Sequence, residues 1–281
     1  MVSLAERRRG AEHLEAEHGV SERRACQGIG IWRSSKRRPS GQIEEAKLIR
    51  RVHELTERYP RFGDRKIHAI LRAEGLAVGR GRLRLIRKRE GLQVPKKPRK
   101  RRRAGKSTTE ENRALYPNHV WSYDFVSDQT VDGRRLRFLT VIDEFTREAI
   151  WIECARLLNS HDVIRVLNQL VESRGHPRII KSDNGPEFVA ERIQDWTQNR
   201  PTDTYFIEPG SPWQNGHNES FNGVLRDGCL NRWAFLSVRE ARRIVESWRQ
   251  EYNEERPHGA LNQTPPAAYA AGVKQENREA A

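Results

Sequence analysis

At Val120 the apolar pattern of this 281-residue chain changes from helical spacing to runs of strand length. The segments W-S-Y-D-F-V-S-D, L-R-F-L-T-V-I-D and E-A-I-W-I-E-C follow closely, each rich in β-branched or aromatic residues, with a turn at Asp132-Gly133 between the first two. Three such strands in succession predict an antiparallel meander. Ser160 is expected to cap an amphipathic helix with Val163, Val166, Leu167, Leu170 and Val171 on its core side, and Gly175 to close it. The strand P-R-I-I-K-S-D then ends at Asp183. A helix follows over Glu187 to Gln198, and the short strand T-Y-F-I-E precedes a helix carrying Glu219. This βββαβαβα order predicts an α/β fold, a mixed sheet flanked by helices.

Upstream of the strands the spacing is helical. Residues 1–40 are polar and Arg-rich, with a short helical pattern (Leu14, Val20, Ala25) and little to build a core on. From Gln42 onward Ile43, Ala46, Leu48, Ile49, Val52 and Leu55 mark one helix. After Tyr59-Pro60, Ile67, Ile70 and Leu71 mark a second, ended by Gly75, and Leu83, Leu85 and Ile86 mark a third. Short helices joined by Gly-containing turns are the pattern of a helix-turn-helix module. Arg80, Arg84 and Arg87, at i, i+4 and i+7, give the third helix a single basic face. Taken alone, the same pattern fits a small helical bundle with a solvated charged face.

Charge favours the first of these readings, with a plain solvated linker as the alternative for the basic run that follows. Lys and Arg number 52 against 38 Asp and Glu, a net charge of +14. Residues 80–106 hold fourteen basic side chains and one acid, so the remaining chain is close to neutral, at about +1. In K-K-P-R-K-R-R-R, residues 96–103, seven of eight side chains are basic. Lys96, Lys97, Arg99, Lys100, Arg101, Arg102 and Arg103 repel one another and cannot pack, which predicts a flexible arm seeking a polyanion. The three cysteines, Cys26, Cys154 and Cys229, are an odd number without a C-x-x-C pair. They suggest neither a disulfide framework nor a zinc site and fit a reducing cytoplasm; nucleoid association is the separate expectation for a chain with so basic a run. No run approaches the roughly 18 apolar residues of a membrane span, and M-V-S-L-A-E-R-R-R-G lacks the apolar core of a secretory signal.

Three carboxylates are candidates for chemistry. Asp124 interrupts the run Trp121, Tyr123, Phe125, Val126, where an ionised group is costly unless paired or bound to metal. Asp183 lies in S-D-N-G-P-E-F, where a strand hands over to a helix. Glu219 follows it with thirty-five residues between, inside S-P-W-Q-N-G-H-N-E-S-F-N. With the helix starting after Ser211, about 100° per residue puts Phe221, Val224, Leu225 and Gly228 opposite Glu219. Asn215, Asn222 and Arg226 then fall near Glu219 as candidate DNA contacts. Singly, these acids read as a locally bonded strand Asp, a turn Asp and a solvated Glu. Together they form a set able to hold two Mg²⁺ (or Mn²⁺) ions about 3.5 to 4 Å apart and promote in-line phosphoryl displacement without a protein nucleophile.

The ordered motifs S-D-N-G-P-E-F, P-G-S-P-W-Q-N-G, N-E-S-F-N-G and Y-N-E-E-R-P-H-G-A-L-N resemble those of the DDE transposases of bacterial insertion sequences, in the retroviral-integrase superfamily. The match is to the second-frame (OrfB) product of elements whose full transposase arises by frameshifting, and it runs from about residue 44 to 270. The resemblance implies a ribonuclease-H-like core in which Asp124, Asp183 and Glu219 are the metal-binding catalytic triad. It also implies nicking of double-stranded DNA at the element's inverted repeats, strand transfer into target DNA, and a homo-oligomer on DNA. The first-frame (OrfA) product would be a partner or fused segment.

The expected division is a polar segment at 1–40, a DNA-binding module at 41–93, a basic linker arm at 94–116, the catalytic core at 117–232 and C-terminal helices at 233–281. Trp233, Phe235, Trp248 and Tyr252 are expected to pack those last helices, and Asp143 with Arg147 to form a structural ion pair. Two other functions share parts of this pattern. A non-catalytic repressor or decayed transposase would keep the basic module alone. A ribonuclease-H-type nuclease would keep the metal site but gives the helical module no purpose.

Overall fold

The computed structural model describes residues 4–37, 42–95, 113–182, 191–198, 200–207 and 216–279. Asp183, Asn215 and the basic run at 96–103 lie outside the described residues, as do the expected starts of the helices before Gln198 and at Ser211. The chain forms two compact units, Met1–Glu54 and Leu55–Ala281.

The first unit holds α1 (Leu4–His18), α2 (Glu22–Ile29), α3 (Arg33–Arg37) and most of α4 (Gln42–Arg58). The expectation of little core here is corrected. Ala11, Ala25, Cys26 and Ile31 are buried together, with Leu14, Val20 and Ile29 packed against them. Small residues allow this. A Cβ added at Gly10 would stand 3.2 Å from Ile29 Cδ1, so α1 and α2 approach closely.

The second unit opens with the end of α4, then α5 (Asp64–Ala73) and α6 (Arg80–Arg89). Ile67 and Leu71 of α5 and Leu83 and Ile86 of α6 are buried, as their spacing predicts. Two expectations on α6 fail. Leu85 is 68% exposed, whereas Arg87 is only 1% exposed. The Arg87 guanidinium donates to Asp64 Oδ1 at 2.7 Å and to the carbonyls of Phe62 and Leu92 at 3.1 and 2.8 Å. Helical geometry sets Arg87 only about 40° from Leu83, at the seam of the apolar face, so Asp64 can draw it inward. Arg87 is therefore withdrawn from the proposed basic face.

The core follows the predicted βββαβαβα order. It comprises β1 (Val120–Gln129), β2 (Arg135–Asp143), β3 (Ala149–Ala155), α7 (Ser160–Arg174), β4 (Ile179–Ser182), α8 (Glu191–Gln198), β5 (Asp203–Phe206) and α9 (Gly216–Gly228), then α10 (Val238–Glu254) and α11 (Pro266–Glu279). Sheet order is β3-β2-β1-β4-β5, with the first three strands antiparallel and β1, β4 and β5 parallel. The cap of α7 is Asn159 rather than Ser160. Its side chain accepts from His161 and Asp162 N–H groups, while Asp162 reaches back to the Asn159 N–H.

Strand alternation decides which side of the sheet holds the site. Trp121 and Tyr123 join Leu139, Val141 and the apolar side of α7 on one face. Val126 joins Phe138, Ile142, Phe221, Leu225 and Tyr252 on the other. Asp124 shares the parity of Val126, so it faces α9. Phe235, Tyr252 and Trp248 pack on this side as expected, but Trp233 is 56% exposed. Asn253 ties α10 to β3, accepting from Ala149 N at 2.9 Å and donating to Ala149 O at 3.0 Å. All three cysteines are buried and unbridged, and no described helix is long and apolar enough to cross a membrane.

Candidate active site

Asp124 is half-buried in the middle of β1, opposite Thr140 of β2. Its Oδ2 accepts from Asn222 Nδ2 at 2.7 Å, and its Oδ1 from the Phe125 N–H at 2.7 Å. The Thr140 hydroxyl is 3.1 Å from both the Asp124 carbonyl and Asn222 Oδ1. Strand acid, strand hydroxyl and helix amide thus form one network. Asn222, expected to face DNA, is turned onto Asp124.

Glu219 stands in the first turn of α9, three residues before Asn222, with its side chain exposed. Phe221 and Leu225 are buried on the opposite side, as the helical geometry predicts. A Cβ added at Gly228 would lie 2.9 Å from Trp248 Nε1, so the end of α9 requires a residue without a side chain. Arg226 is exposed and donates to the Ser127 carbonyl at 2.9 Å. Asn218 was missed by the sequence reading. It is fully buried, and neither amide atom has a hydrogen-bond partner among the described residues. Its position four residues before Asn222 was the available signal.

A second polar cluster lies near the start of α9. Glu144 is buried with one oxygen 3.5 Å from Lys181 Nζ, and Lys181 pairs across the parallel ladder with Ser122. Burial pushes the Glu144 carboxyl above the usual range, against the pull of Lys181. Arg147 donates to His217 Nδ1. Burial, then the Arg147 and Lys181 charges, lowers His217 to about 4. The imidazole is therefore neutral near pH 7, and its 3.9 Å approach to Glu144 is not an ion pair. Asp143 also departs from expectation. Its carboxylate accepts N–H groups of Asn118, Phe145 and Thr146, capping a turn instead of pairing with Arg147.

Arg80 and Arg84 are exposed on α6. Among the described residues, no three His, Cys, Asp or Glu side chains cluster as a metal site; Asp183 is not among those residues. It follows the last residue of β4, the parallel neighbour of β1.

Two family models, each described as an integrase core domain, match residues 114–212 and 200–266. The chain is 38% identical over 278 residues to the uncharacterized 39.2 kDa protein of insertion element IS476 from Xanthomonas euvesicatoria, covering 96% of this chain and 78% of that protein. The chain belongs to the DDE transposases of insertion elements. Transposase InsD of insertion element IS2 from Escherichia coli is 26% identical, over 85% of this chain and 82% of its own. Among solved structures, a chain of the simian T-cell lymphotropic virus intasome, in complex with PP2A regulatory subunit B56 gamma, is similar with a TM-score of 0.50. It is 16% identical, over 78% of this chain and 74% of that one. At that identity the likeness bears on fold alone. The transposase core is ribonuclease-H-like, and its matched residues span the sheet, α9 and α10.

Proposed function

We propose that this transposase is a divalent-metal-dependent polynucleotidyl transferase. It binds the inverted repeats of its element as double-stranded DNA, nicks them and joins the exposed 3′-hydroxyls to target DNA. The observation that carries the reading is the Asp124–Asn222 bond, which joins an acid of β1 to the helix that bears Glu219. Asp183 completes the set by its place in sequence directly after β4.

The donor chemistry fits the metal. Carboxylate oxygens are the ligands that hard dications take, and Asn218 adds a buried, unpartnered amide next to Glu219. Asp124, Asp183 and Glu219 would hold Mg²⁺ or Mn²⁺, two ions by family resemblance, supplying charge stabilisation on both sides of an in-line displacement. The chain's own contribution is orientation. Asn222 and Thr140 fix the Asp124 carboxylate, and Phe221 and Leu225 anchor α9 so that Glu219 stays on its outer side.

DNA would be held by the 41–93 module through Arg80 and Arg84, by the 94–116 arm, and by Arg226 beside the core. Arg87 has no part in this, and Asn222 acts as a positioning residue. An oligomer on DNA and association with the first-frame product belong to the same proposal. The test is strand transfer with element-end duplex and Mg²⁺. Wild-type chain should join the ends and Asp183→Asn should not, whereas full activity in that variant refutes the triad. End binding without any nicking by the wild type supports the repressor reading instead.

A further inference from the structure

A cavity of about 380 Å³ lies beside the candidate active site. Its basic walls come from separate stretches: Lys66 of α5, Arg147 in the β2–β3 turn, His217 in the first turn of α9, and Arg256 and His258 after α10. Among the described residues, no acidic side chain lines it. Glu144 lies behind His217, but it is engaged by Lys181.

Two of the cations lie against aromatic rings. Lys66 Nζ is 4.9 Å from the Phe62 ring centroid, and Arg256 Cζ is 4.7 Å from the same ring and 6.0 Å from that of Tyr252. An aromatic face fixes a cation without neutralising it. Polar atoms also stand unused. Arg147 Nε and His258 Nδ1 are buried with no hydrogen-bond partner among the described residues. Arg147 adopts φ +63, a left-handed conformation uncommon for a side chain of its size. Burial, then the charges of Arg147, Lys66 and Arg256, lowers His258 to about 4; burial, then Arg256, lowers Lys66 to about 8. Lys66, Arg147 and Arg256 are crowded here, and the acids whose charges act on Arg147 (Glu144, Asp143) and Arg256 (Glu251, Asp227) stand outside the cavity lining.

We infer that this cavity receives one phosphate group of the DNA strand that passes Glu219. The cavity shares Ser220, Val224 and Arg256 with the one that Glu219 itself lines, so a strand engaged at the acid runs directly past it. Donors converging from several directions, with guanidinium forks among them, suit the tetrahedral oxygens of phosphate. Because Lys66 belongs to the helical module, a phosphate held here also joins module to core. The inference rests on the DNA-processing reading above.

The test uses the full-length chain and a terminal-repeat duplex in which single phosphates are replaced in turn by uncharged methylphosphonates. Affinity is measured without metal. Wild-type protein should lose about tenfold at one position near the cleaved end. Lys66→Gln, already weakened by a similar factor, should lose nothing further there. Lys66→Arg keeps the charge and should retain the wild-type response. Where Lys66→Gln does not fold, His258→Gln is read in the same way. Absence of any coupled position, or of any DNA binding, overturns the inference, even if inorganic phosphate alone binds the cavity. Position-specific coupling without Mg²⁺-dependent nicking sustains the pocket and sinks only the catalytic reading.

Discussion

Asn222 Nδ2 donates to Asp124 Oδ2 at 2.7 Å, and this bond fastens the helix of one candidate catalytic acid to the strand of another. Thr140 completes the tie from the neighbouring strand, so Asp124 keeps one orientation before any substrate arrives. Removing a partner that orients a metal-ligating carboxylate typically costs about 10- to 100-fold in affinity or activity. Asn222→Leu should therefore lower strand transfer by that factor, with end-DNA affinity unchanged. Metal titration and end-binding assays on the same variant check this. A proportionate loss of DNA affinity would return Asn222 to the role of a DNA contact.

The Arg87–Asp64 pair predicts an asymmetry between its two halves. Arg87 is almost wholly buried, while the Asp64 side chain is 33% exposed. Asp64→Ala leaves a buried guanidinium with two backbone carbonyls and no anion, a loss of roughly 3 kcal/mol. Arg87→Met leaves a carboxylate that water can reach, and should cost less. Denaturant unfolding of both variants decides the order. In DNA binding the contrast is with the exposed Arg84: Arg84→Gln should reduce the slope of log affinity against log salt by about 0.9, and Arg87→Met should leave it unchanged.

Two glycines of α9 should respond to alanine in opposite ways. Gly223 is exposed with open space around its Cα, so Gly223→Ala should stabilise by about 0.5 to 1 kcal/mol through helix propensity. At Gly228 the new Cβ meets the rigid indole of Trp248, which Phe221 and Tyr252 hold at ring distances of 5.9 and 5.3 Å. Overpacking costs about 1 to 3 kcal/mol, which outweighs the propensity gain. Thermal melts should therefore move up for the first variant and down for the second.

Acid should weaken the fold through His258. Its usual value is 6.5, and in the folded chain it is lowered to about 4, chiefly by burial and then by Arg147. Between pH 6.5 and 4 the unfolded chain binds the extra proton, so stability falls as pH drops through that window. His258→Gln removes this contribution. A plot of unfolding free energy against pH should be flatter between 4 and 6.5 for the variant than for wild type. Equal slopes would contradict a buried neutral imidazole.

Much of this architecture is legible in the sequence because its contacts are local or periodic. A turn at Asp132-Gly133 sets the register of the first hairpin, and with it Thr140 opposite Asp124. The acids were marked by their motifs, and α9 by the spacing of Phe221 and Leu225. Side-chain direction at the seams was not legible. Helical period placed Arg87 within reach of the basic face, but Asp64, from another helix, turned it inward. It placed Asn222 near Glu219, yet the choice between DNA and Asp124 depended on how α9 meets β1. The basic cavity was invisible for the same reason, since Lys66, Arg147 and Arg256 come together only in the folded chain.

Catalysis of this kind depends above all on three separated acids taking up metal together. Calorimetric titration of Mn²⁺ into wild type, Asp124→Asn, Asp183→Asn and Glu219→Gln measures this directly. The predicted result is saturable binding by the wild type, with loss or at least tenfold weakening in each variant. Uptake by all three variants that matches the wild type, or none by the wild type itself, would contradict it.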